Sequence, residues 1–257
     1  MEQAEYVSDV SLPNNVRTNT PDGVLVKQHW DPERSHERRY DLALEWLTPV
    51  IRKLEKHVLP GQTLKVLQVG GHSDFDVKLR HVFAGLTDLD RTWGDLRTER
   101  YGADDRYDLV ISMEVVEHLH DVPNPADPFP DVVSESGAKW HHDQCFRALR
   151  PDGILFLTTP NATSMANIWQ MFIEKMPMFY RPHFREYPAL DMLEQLKTAG
   201  FEVDRFGTAN VWPTLWDGNS FVDSQVKSCL RNAGASEDNR GQSTMILARK
   251  PLVKIEV

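Results

Sequence analysis

The apolar residues of this chain form short runs that alternate with segments of helical spacing. Six runs have the length of strands, and three of them are mostly apolar, as expected of parallel strands buried on both faces of a sheet. Between them, apolar residues spaced three and four apart predict amphipathic helices. The predicted strands are Leu64–Val69, Leu86–Asp90, Tyr107–Ile111, Ile154–Leu157, Phe201–Phe206 and Ser243–Ala248, and the predicted helices are Tyr40–His57, Val77–Phe83, Trp140–Leu149 and Ala189–Ala199. Strands that alternate with helices along the whole chain predict one α/β domain.

Glycine and proline mark the ends of several elements. Pro49 lies inside the first predicted helix and favours a kink there, because proline removes a backbone donor. Gly200 is placed to cap the last helix. Residues 150–153 read as a turn, and the polar stretch 207–242 reads as a loop.

The composition argues against several classes of function but says little about the fold. The chain has 257 residues, of which 40% are hydrophobic and 26% charged, so a sizeable core is expected. Its formal net charge is −9, which argues against a nucleic-acid partner. The two cysteines, Cys145 and Cys229, have no metal-ligand spacing, and we expect no metal site. No apolar run approaches the length of a membrane span and the N-terminus is polar, so we expect a cytoplasmic protein without membrane insertion.

The stretch 107–121, YDLVISMEVVEHLHD, changes abruptly from apolar to ionisable residues. Its apolar strand is followed by Glu114, by the pair Glu117 and His118, and by Asp121. In open α/β sheets, ligands bind at the carboxyl ends of the strands, and this is where such a change would lie. The alternative is an ordinary buried strand followed by a solvated loop.

Two adjacent glycines, Gly70 and Gly71, directly follow the predicted strand 64–69. Glycine at this position lets the backbone approach a ligand, and the next helix offers free N–H groups. Asp88 lies 18 residues after Gly70, and Asp90 lies 20 after it, which is the distance at which nucleotide-binding folds place an acid that accepts from the ribose. A surface acidic turn is the alternative for this pair.

Two terminal or inserted segments are expected outside the core of the domain. Residues 1–37 are predicted to form an N-terminal arm or lid on a domain that spans 38–257, although the charged end of this arm also fits the polar start of a helix. The insertion 122–142 ends in His141 and His142. Adjacent histidines on a helix point about 100° apart and make a poor chelating pair, so the start of a helix is favoured over a ligand or base role.

A third segment, 162–187, is rich in Met, Trp and Phe. It fits either an apolar cap over a pocket or a core helix, and the pattern does not choose between them.

Five segments, in order over about residues 60–250, resemble the class I S-adenosylmethionine-dependent methyltransferases. VLQVGGHSDF at 66–75 resembles the glycine-rich cofactor loop, GDL at 94–96 resembles the pair that reads the adenine edge, and 107–121 resembles the strand-four signature. LRPDGILFLTTPN at 149–161 resembles the next strand, and HFREYPALDMLEQLKTAGFEV at 183–203 resembles a segment of small-molecule and sugar-modifying members.

The resemblance implies a Rossmann-like α/β fold with seven mostly parallel strands, an antiparallel last strand at 243–248 and helices on both faces. It also implies S-adenosylmethionine as the cofactor. The expected acceptor is a small polar molecule, with O-methylation of a sugar or polysaccharide intermediate favoured, and a homodimer is left open. The residues expected to bind the cofactor are Gln68, Gly70, Gly71, His72, Asp88, Asp95, Leu96, Met113 and Glu114.

Methyl transfer to a hydroxyl needs a nearby base, and histidine titrates closest to neutral pH. We expect His118 or His183 to be this base, with Glu117 orienting a histidine or receiving the substrate hydroxyl, and His72 as a third possibility. For each residue, a structural hydrogen bond near the end of a strand is the alternative.

The cofactor loop departs from the family pattern. Gln68 replaces the usual acid, and His72 and Asp74 stand where glycines are common. Glutamine still forms hydrogen bonds but cannot neutralise an ammonium group. The alternative function is therefore a methyltransferase-fold binding or regulatory protein with impaired catalysis.

Overall fold

The computed structural model describes residues 32–59, 62–70, 73–83, 88–92, 94–123, 134–180, 182–212 and 220–252. Most of the predicted arm lies outside these residues, and its last six residues are the start of a helix. None of the helices within these ranges is long and apolar enough to cross a membrane. The helices are α1 (Pro32–Glu55), α2 (Ser73–Val82), α3 (Gly137–Ala148), α4 (Met165–Phe172), α5 (Ala189–Thr198) and α6 (Ser220–Asn232).

Eight strands form two sheets in the described part of the chain. They are β1 (Lys65–Val69), β2 (Asp88–Thr92), β3 (Tyr107–Met113), β4 (Val122–Pro123), β5 (Ser134–Glu135), β6 (Leu149–Pro160), β7 (Glu202–Ala209) and β8 (Ser243–Arg249). The main sheet has the order β2-β1-β3-β6-β8-β7, and β4 pairs with β5 in a separate antiparallel ribbon. In the main sheet only β8 is antiparallel to its neighbours, β6 and β7. The predicted antiparallel last strand is confirmed.

The main sheet has six strands among the described residues, and the prediction of seven was wrong for this part of the chain. The hydrophobic pattern contained six strand runs, and the seventh came only from the family resemblance. Between β2 and β3, residues 94–106 form turns and irregular chain. The backbone N–H groups of Thr98 and Glu99 both donate to the Asp95 carbonyl. This turn bends the chain, so the segment adds no strand to the sheet.

Both faces of the sheet are covered by helices, as predicted, because successive strand residues point to opposite faces. One core joins α1 and α2 to the sheet, and the other joins α3 and α5 to its opposite face. The first includes Leu47, Phe75, Val66, Leu109 and Phe156, and the second includes Cys145, Leu196, Leu67, Val110 and Leu155.

Two local predictions need correction. Residues 207–242 were expected to be loop, but β7 continues to Ala209 and α6 spans Ser220–Asn232. Residues 150–153 were expected to be a turn, but they lie inside β6, where the register against β3 shifts. Asp152 has a φ of 63° there, so the turn signal belongs to a bulge within the strand. Pro49 lies inside α1 without ending it.

Candidate functional site

The strands β1, β3 and β6 are parallel and end at the same edge of the sheet. Met113, the last residue of β3, is buried in the core with α1 and α2. Glu114 follows it with a φ of 54°, and its backbone N–H donates to the Thr158 carbonyl at 2.9 Å. Its carboxylate accepts from Thr158 Oγ1 at 2.8 Å and from Ser243 Oγ at 3.4 Å. The sharp turn after β3 therefore holds Glu114 against the ends of two other strands.

Arg39 of α1, which was not among the predicted site residues, reaches this edge. Its Nη1 lies 3.6 Å from Glu114 Oε2, and both side chains are buried. Its Nη2 donates to Nδ1 of His36 at 3.1 Å, while its Nε has no hydrogen-bond partner among the described residues. The sequence does contain a pattern that could have identified Arg39. It lies four residues before Ala43 and eight before Leu47, and therefore on the apolar stripe of α1. A charged residue on a buried stripe indicates a polar partner at that depth.

Two buried polar atoms, one in β1 and one in α1, without partners among the described residues, fit the amino-acid part of S-adenosylmethionine. Gly70 has a φ of +74°, and a Cβ there would lie 2.6 Å from Val115 Cγ2. Gln68 is buried at the end of β1, and its Oε1 accepts no hydrogen bond from any described residue. That oxygen and Arg39 Nε are suited to an ammonium and a carboxylate respectively. Gly71 and His72 lie outside the described residues.

Asp88 is not brought to this edge. It is the first residue of β2 and pairs with Lys65, whereas Thr92 at the other end pairs with Val69, next to Gly70. Four residues of strand place Asp88 about 13 Å from that end. Asp90 accepts from the Tyr107 hydroxyl at 2.8 Å. The structure therefore places Asp88, which was predicted to bind the cofactor, at the opposite end of β2 from Gly70, because β2 runs two residues further than the sequence pattern indicated.

Asp95 and Leu96 lie in the turn just after β2, at the carboxyl edge. Arg97 donates to the Asp95 carboxylate through Nε at 2.8 Å and Nη2 at 2.7 Å. These bonds lower the pKa of Asp95 to about 2. Asp95 is therefore an ionised hydrogen-bond acceptor at neutral pH, as the adenine-reading role predicted for it requires.

A buried chain of hydrogen bonds connects this turn to the end of β3. The Tyr101 hydroxyl donates to the Leu96 carbonyl at 2.6 Å and lies 3.0 Å from His141 Nδ1. His141 Nε2 lies 2.9 Å from Ser112 Oγ. A consistent direction of donation puts the proton on His141 Nδ1, and burial lowers the pKa of His141 well below its usual value. His141 therefore holds the turn at Leu96 against the end of β3. It lies in α3 and has this structural role, as favoured over the role of a ligand or base.

We expect Tyr101→Phe to lower the free energy of unfolding by about 1–3 kcal/mol, because it leaves the Leu96 carbonyl and the His141 N–H without partners inside the core. Urea denaturation would measure this change. Tyr180→Phe removes a hydroxyl from a tyrosine that is 51% exposed, so we expect it to change the free energy of unfolding by less than about 0.5 kcal/mol. Equal effects for the two variants would contradict the role of the buried chain.

The structure brings together Glu117, His118 and His183, the three residues predicted to be catalytic. One ligating atom of each lies within 4.8 Å of the others, and the two imidazole rings are 4.7 Å apart at 79°. Glu117 is fully buried in the 3₁₀ turn Val116–His118, which directly follows the end of β3. Its Oε2 accepts from Thr159 Oγ1 at 2.9 Å, whereas Oε1 accepts no hydrogen bond within the described chain.

Backbone contacts fix the segment that carries His183 against this turn. The N–H groups of Phe184 and Arg185 both donate to the Glu117 carbonyl, at 2.8 and 3.2 Å. His183 Nδ1 lies 2.7 Å from Oε1 of Glu186, a carboxylate that also accepts from the backbone of Phe179 and the side chain of Asn167. Because a carboxylate only accepts, Nδ1 donates this bond. Glu186 was not identified from the sequence.

Burial controls the charges of this cluster. It raises the pKa of Glu117 well above its usual value, with the nearby Glu114 adding to the effect. Burial also raises the pKa of Glu114, against the opposing influence of Arg39. For His118, burial and the neighbouring His183 lower the pKa. A half-exposed imidazole with a lowered pKa is neutral at pH 7 and able to accept a proton.

Comparison with known proteins identifies the family. The model of a methyltransferase domain family matches residues 31–205. A relative from Mycolicibacterium smegmatis, named as a probable S-adenosylmethionine-dependent methyltransferase, is 29% identical over 166 residues, which are 62% of this chain and 56% of that protein. The match therefore spans little more than half the length of that relative.

Solved structures of S-adenosylmethionine-dependent methyltransferases from two organisms are also similar to this chain. The structure from Archaeoglobus fulgidus is 14% identical, with a TM-score of 0.49, and the alignment covers 84% of this chain and 97% of that one. The structure from Mesorhizobium loti is 13% identical, with a TM-score of 0.45 and coverages of 82% and 99%.

The family model alone spans more than half of the chain. Its N-terminal boundary coincides with the start of α1, and its C-terminal boundary lies inside β7. It therefore includes Gly70, Glu114 and the Glu117–His118–His183 cluster. The chain belongs to the methyltransferase domain family, and its predicted membership of the class I S-adenosylmethionine-dependent methyltransferases is confirmed.

Proposed function

We propose that this chain uses S-adenosylmethionine to methylate a hydroxyl group of a small polar acceptor. The observation that carries the proposal is the convergence of Glu117, His118 and His183 at the edge of the sheet that also holds Gly70. An acceptor bound at this edge would lie between a cofactor site and a group able to take its proton.

On the cofactor side, the chain supplies acceptors and donors in suitable places. We assign the ammonium of the cofactor to Gln68 Oε1 and its carboxylate to Arg39 Nε, two buried atoms without described partners. We assign the methionine part to the edge beside Gly70 and the turn at Glu114, with Met113 in the core next to that turn. Asp95 and the backbone of Leu96 are assigned to the adenosine. Bound S-adenosylmethionine supplies an electrophilic methyl group on a positively charged sulfur.

On the acceptor side, the cluster would orient the hydroxyl and receive its proton. In the transfer, the acceptor oxygen forms a bond to the methyl carbon while the bond from that carbon to sulfur breaks, and the electron pair stays on sulfur. The hydroxyl proton passes to the imidazole of His118. Orientation of this kind contributes up to roughly 7–11 kcal/mol to lowering a barrier. His118 is 42% exposed and is therefore accessible to an acceptor that enters from solvent.

Segment 162–187 is proposed as a cap over the acceptor. It contributes His183 to the cluster. Five large residues of the segment, in α4 and in the chain that follows it, are exposed: Met171, Phe172, Met176, Tyr180 and Phe184. A sugar or polysaccharide intermediate is the acceptor favoured by the resemblance of residues 183–203. This part of the proposal rests on analogy with the family.

Calorimetric titration with S-adenosylmethionine and S-adenosylhomocysteine tests the cofactor half of the proposal. We expect saturable micromolar binding of both, and Asp95→Ala should weaken it by at least about tenfold, the effect of losing a hydrogen bond to a charged group. Asp104→Ala, which removes another aspartate of the same segment, is the matched control and should bind normally. Methyl transfer to nucleotide-sugars and to other polyols then tests the acceptor half.

Absence of binding in well-folded protein would overturn the proposal. It would favour the binding or regulatory protein that Gln68 and the substituted loop suggest. Binding without transfer to any hydroxyl acceptor would leave the cofactor site in place and contradict O-methylation.

A further inference from the structure

The Glu117–His118–His183 cluster contains one buried oxygen that no described residue satisfies. Glu117 is completely buried, yet its Oε1 accepts no hydrogen bond among the described residues and lies 4.0 Å from His118 Nε2. A buried polar oxygen without a hydrogen-bond partner is costly, and a buried carboxylate is stable in its ionised form only when it is paired or bound to a metal ion. The unsatisfied oxygen therefore indicates that a ligand binds to Glu117 Oε1.

We infer that Glu117, His118 and His183 form a site for one divalent transition-metal ion. Two imidazoles and one carboxylate are the protein ligands of catalytic zinc sites and of other transition-metal sites with open positions. The ligands would be Glu117 Oε1, His118 Nε2 and His183 Nε2. Magnesium and calcium prefer sites made of oxygen alone, so the two nitrogen ligands favour a transition metal.

The hydrogen bonds around the cluster are those that metal-binding histidines require. Metal-ligating histidines almost always donate their other N–H to a carboxylate or a carbonyl. His183 donates from Nδ1 to Glu186, and His118 is hydrogen-bonded to the backbone of Pro182. Proline has no N–H, so this second bond is to its carbonyl oxygen. His118 Nε2 lies 4.0 Å from Glu117 Oε1, and the bond of His183 Nδ1 to Glu186 leaves Nε2 as the nitrogen of that ring available to a ligand.

The dimensions of the cluster agree with this assignment after a small adjustment. A tetrahedral ion with bonds of about 2.1 Å holds its ligand atoms about 3.4 Å apart, and the atoms here lie within 4.8 Å of one another. Each pair of ligand atoms would have to approach by at most about 1.4 Å, and the His118–Glu117 pair, now 4.0 Å apart, by about 0.6 Å. Glu114 is not a ligand, because Thr158 and Ser243 donate to it and Arg39 lies beside it.

With three protein ligands, a tetrahedral ion has one open position, which we place on the solvent side, where His118 is exposed. A hydroxyl that coordinates the ion there loses its proton more easily, because a bound metal lowers the pKa of a coordinated oxygen. With the ion bound, His118 is a ligand, and the hydroxyl proton passes to solvent before the oxygen attacks the methyl carbon. If the ion expands to five-coordinate, as catalytic zinc can, it has two open positions and suits an acceptor with neighbouring hydroxyl groups. This role of the ion rests on the proposed function, whereas binding of the ion does not.

Titration of the full chain with Co²⁺, after removal of metals and without a histidine tag, tests the site directly. We expect about one Co²⁺ per chain, with visible absorption of a low-coordinate nitrogen-containing site. His118→Ala and His183→Ala should each weaken binding by at least about 100-fold. His57→Ala removes an exposed histidine just after α1 and is the matched control, with unchanged binding expected. Binding that survives the His118→Ala and His183→Ala substitutions combined would overturn the assignment.

Glu186→Gln provides a second and milder test. It keeps all three ligands but weakens the hold on His183 Nδ1, and we expect Co²⁺ affinity to fall by about 10–100-fold, as for other partners of ligating histidines. Glu194→Gln, on the exposed face of α5, is the matched control and should leave affinity unchanged. An unchanged affinity in Glu186→Gln would contradict the assigned orientation of His183.

The two proposals fail in different ways. Metal-free protein that keeps its full rate of methyl transfer to a hydroxyl acceptor, with no Co²⁺ bound by the cluster, would overturn the metal site and leave the proposed function standing. Co²⁺ binding that depends on His118 and His183, in protein that binds no S-adenosylmethionine, would support the metal site and overturn the proposed function.

Discussion

His118→Ala is expected to lower the turnover of methyl transfer by about 10²–10⁴ while leaving the Kd for S-adenosylmethionine nearly unchanged. The reason is geometric. His118 lies beside Glu117 and His183 at the acceptor side of the edge, whereas the atoms assigned to the cofactor belong to β1, α1 and the turn after β2. Loss of the imidazole removes proton transfer, or a metal ligand, without removing a cofactor contact. Steady-state kinetics and calorimetric titration of the same preparation would separate the two effects.

The control for this prediction is His57→Ala, because His57 lies 18 residues beyond Arg39 along the chain. The helix ends at Glu55, 16 residues after Arg39 and about 24 Å along its axis at 1.5 Å per residue, and His57 lies just beyond that end. We therefore expect both turnover and Kd to be unchanged. Since His118 is 42% exposed, its replacement should leave the unfolding transition intact. If His118→Ala raised the Kd as much as it lowered turnover, the residue would be a structural part of the cofactor pocket.

Gly70→Ala is expected to lower the free energy of unfolding by about 2–5 kcal/mol and to abolish cofactor binding. An L-residue in the left-handed region costs about 1–2 kcal/mol. The new Cβ would also lie 2.6 Å from Val115 Cγ2, and an overpacked core costs about 1–3 kcal/mol. Because Val115 lies between Glu114 and the turn that carries Glu117, relief of this clash would displace both halves of the site. Urea denaturation and calorimetric titration measure the two effects.

Two further variants separate the backbone cost from the clash. Gly234 has a φ of +68°, and a Cβ added there would meet no described atom within 4 Å, so Gly234→Ala should cost only the backbone contribution of about 1–2 kcal/mol. In a Val115→Ala background, Gly70→Ala should cost a similar amount, because the methyl group that it meets is gone. A cost at Gly70 that stays the same in both backgrounds would show that Val115 plays no part.

The sequence determined the order and kind of most elements. Apolar spacing is a local property, and strands that are buried on both faces carry it plainly. The runs at β1, β3 and β8 were therefore found within a residue or two, and the family signature placed Glu114, Glu117 and His118 after β3. Helix α6 was missed because its few apolar residues lie in a polar stretch, although Val222 and Val226 have helical spacing.

Errors of one or two residues at the ends of elements had larger consequences for the site. The predicted strand ended at Asp90, which put Asp88 near the expected cofactor. The observed β2 continues to Thr92, which puts Asp88 at the far end of the sheet. The seventh strand was an expectation from the family, and the turn at Asp95 occupies the segment in which the chain passes from β2 to β3.

The tertiary structure alone decided which side chains meet. His118 and His183 are separated by 65 residues, and Arg39 comes from a helix that precedes the whole sheet. Their contacts with Glu117 and Glu114 depend on strand order, on the pair of N–H groups that hold residues 184 and 185 to the Glu117 carbonyl, and on burial. Sequence spacing reports which residues share a face of one helix or strand, but only packing between elements brings distant polar groups to within bonding distance and removes the water that would otherwise satisfy them.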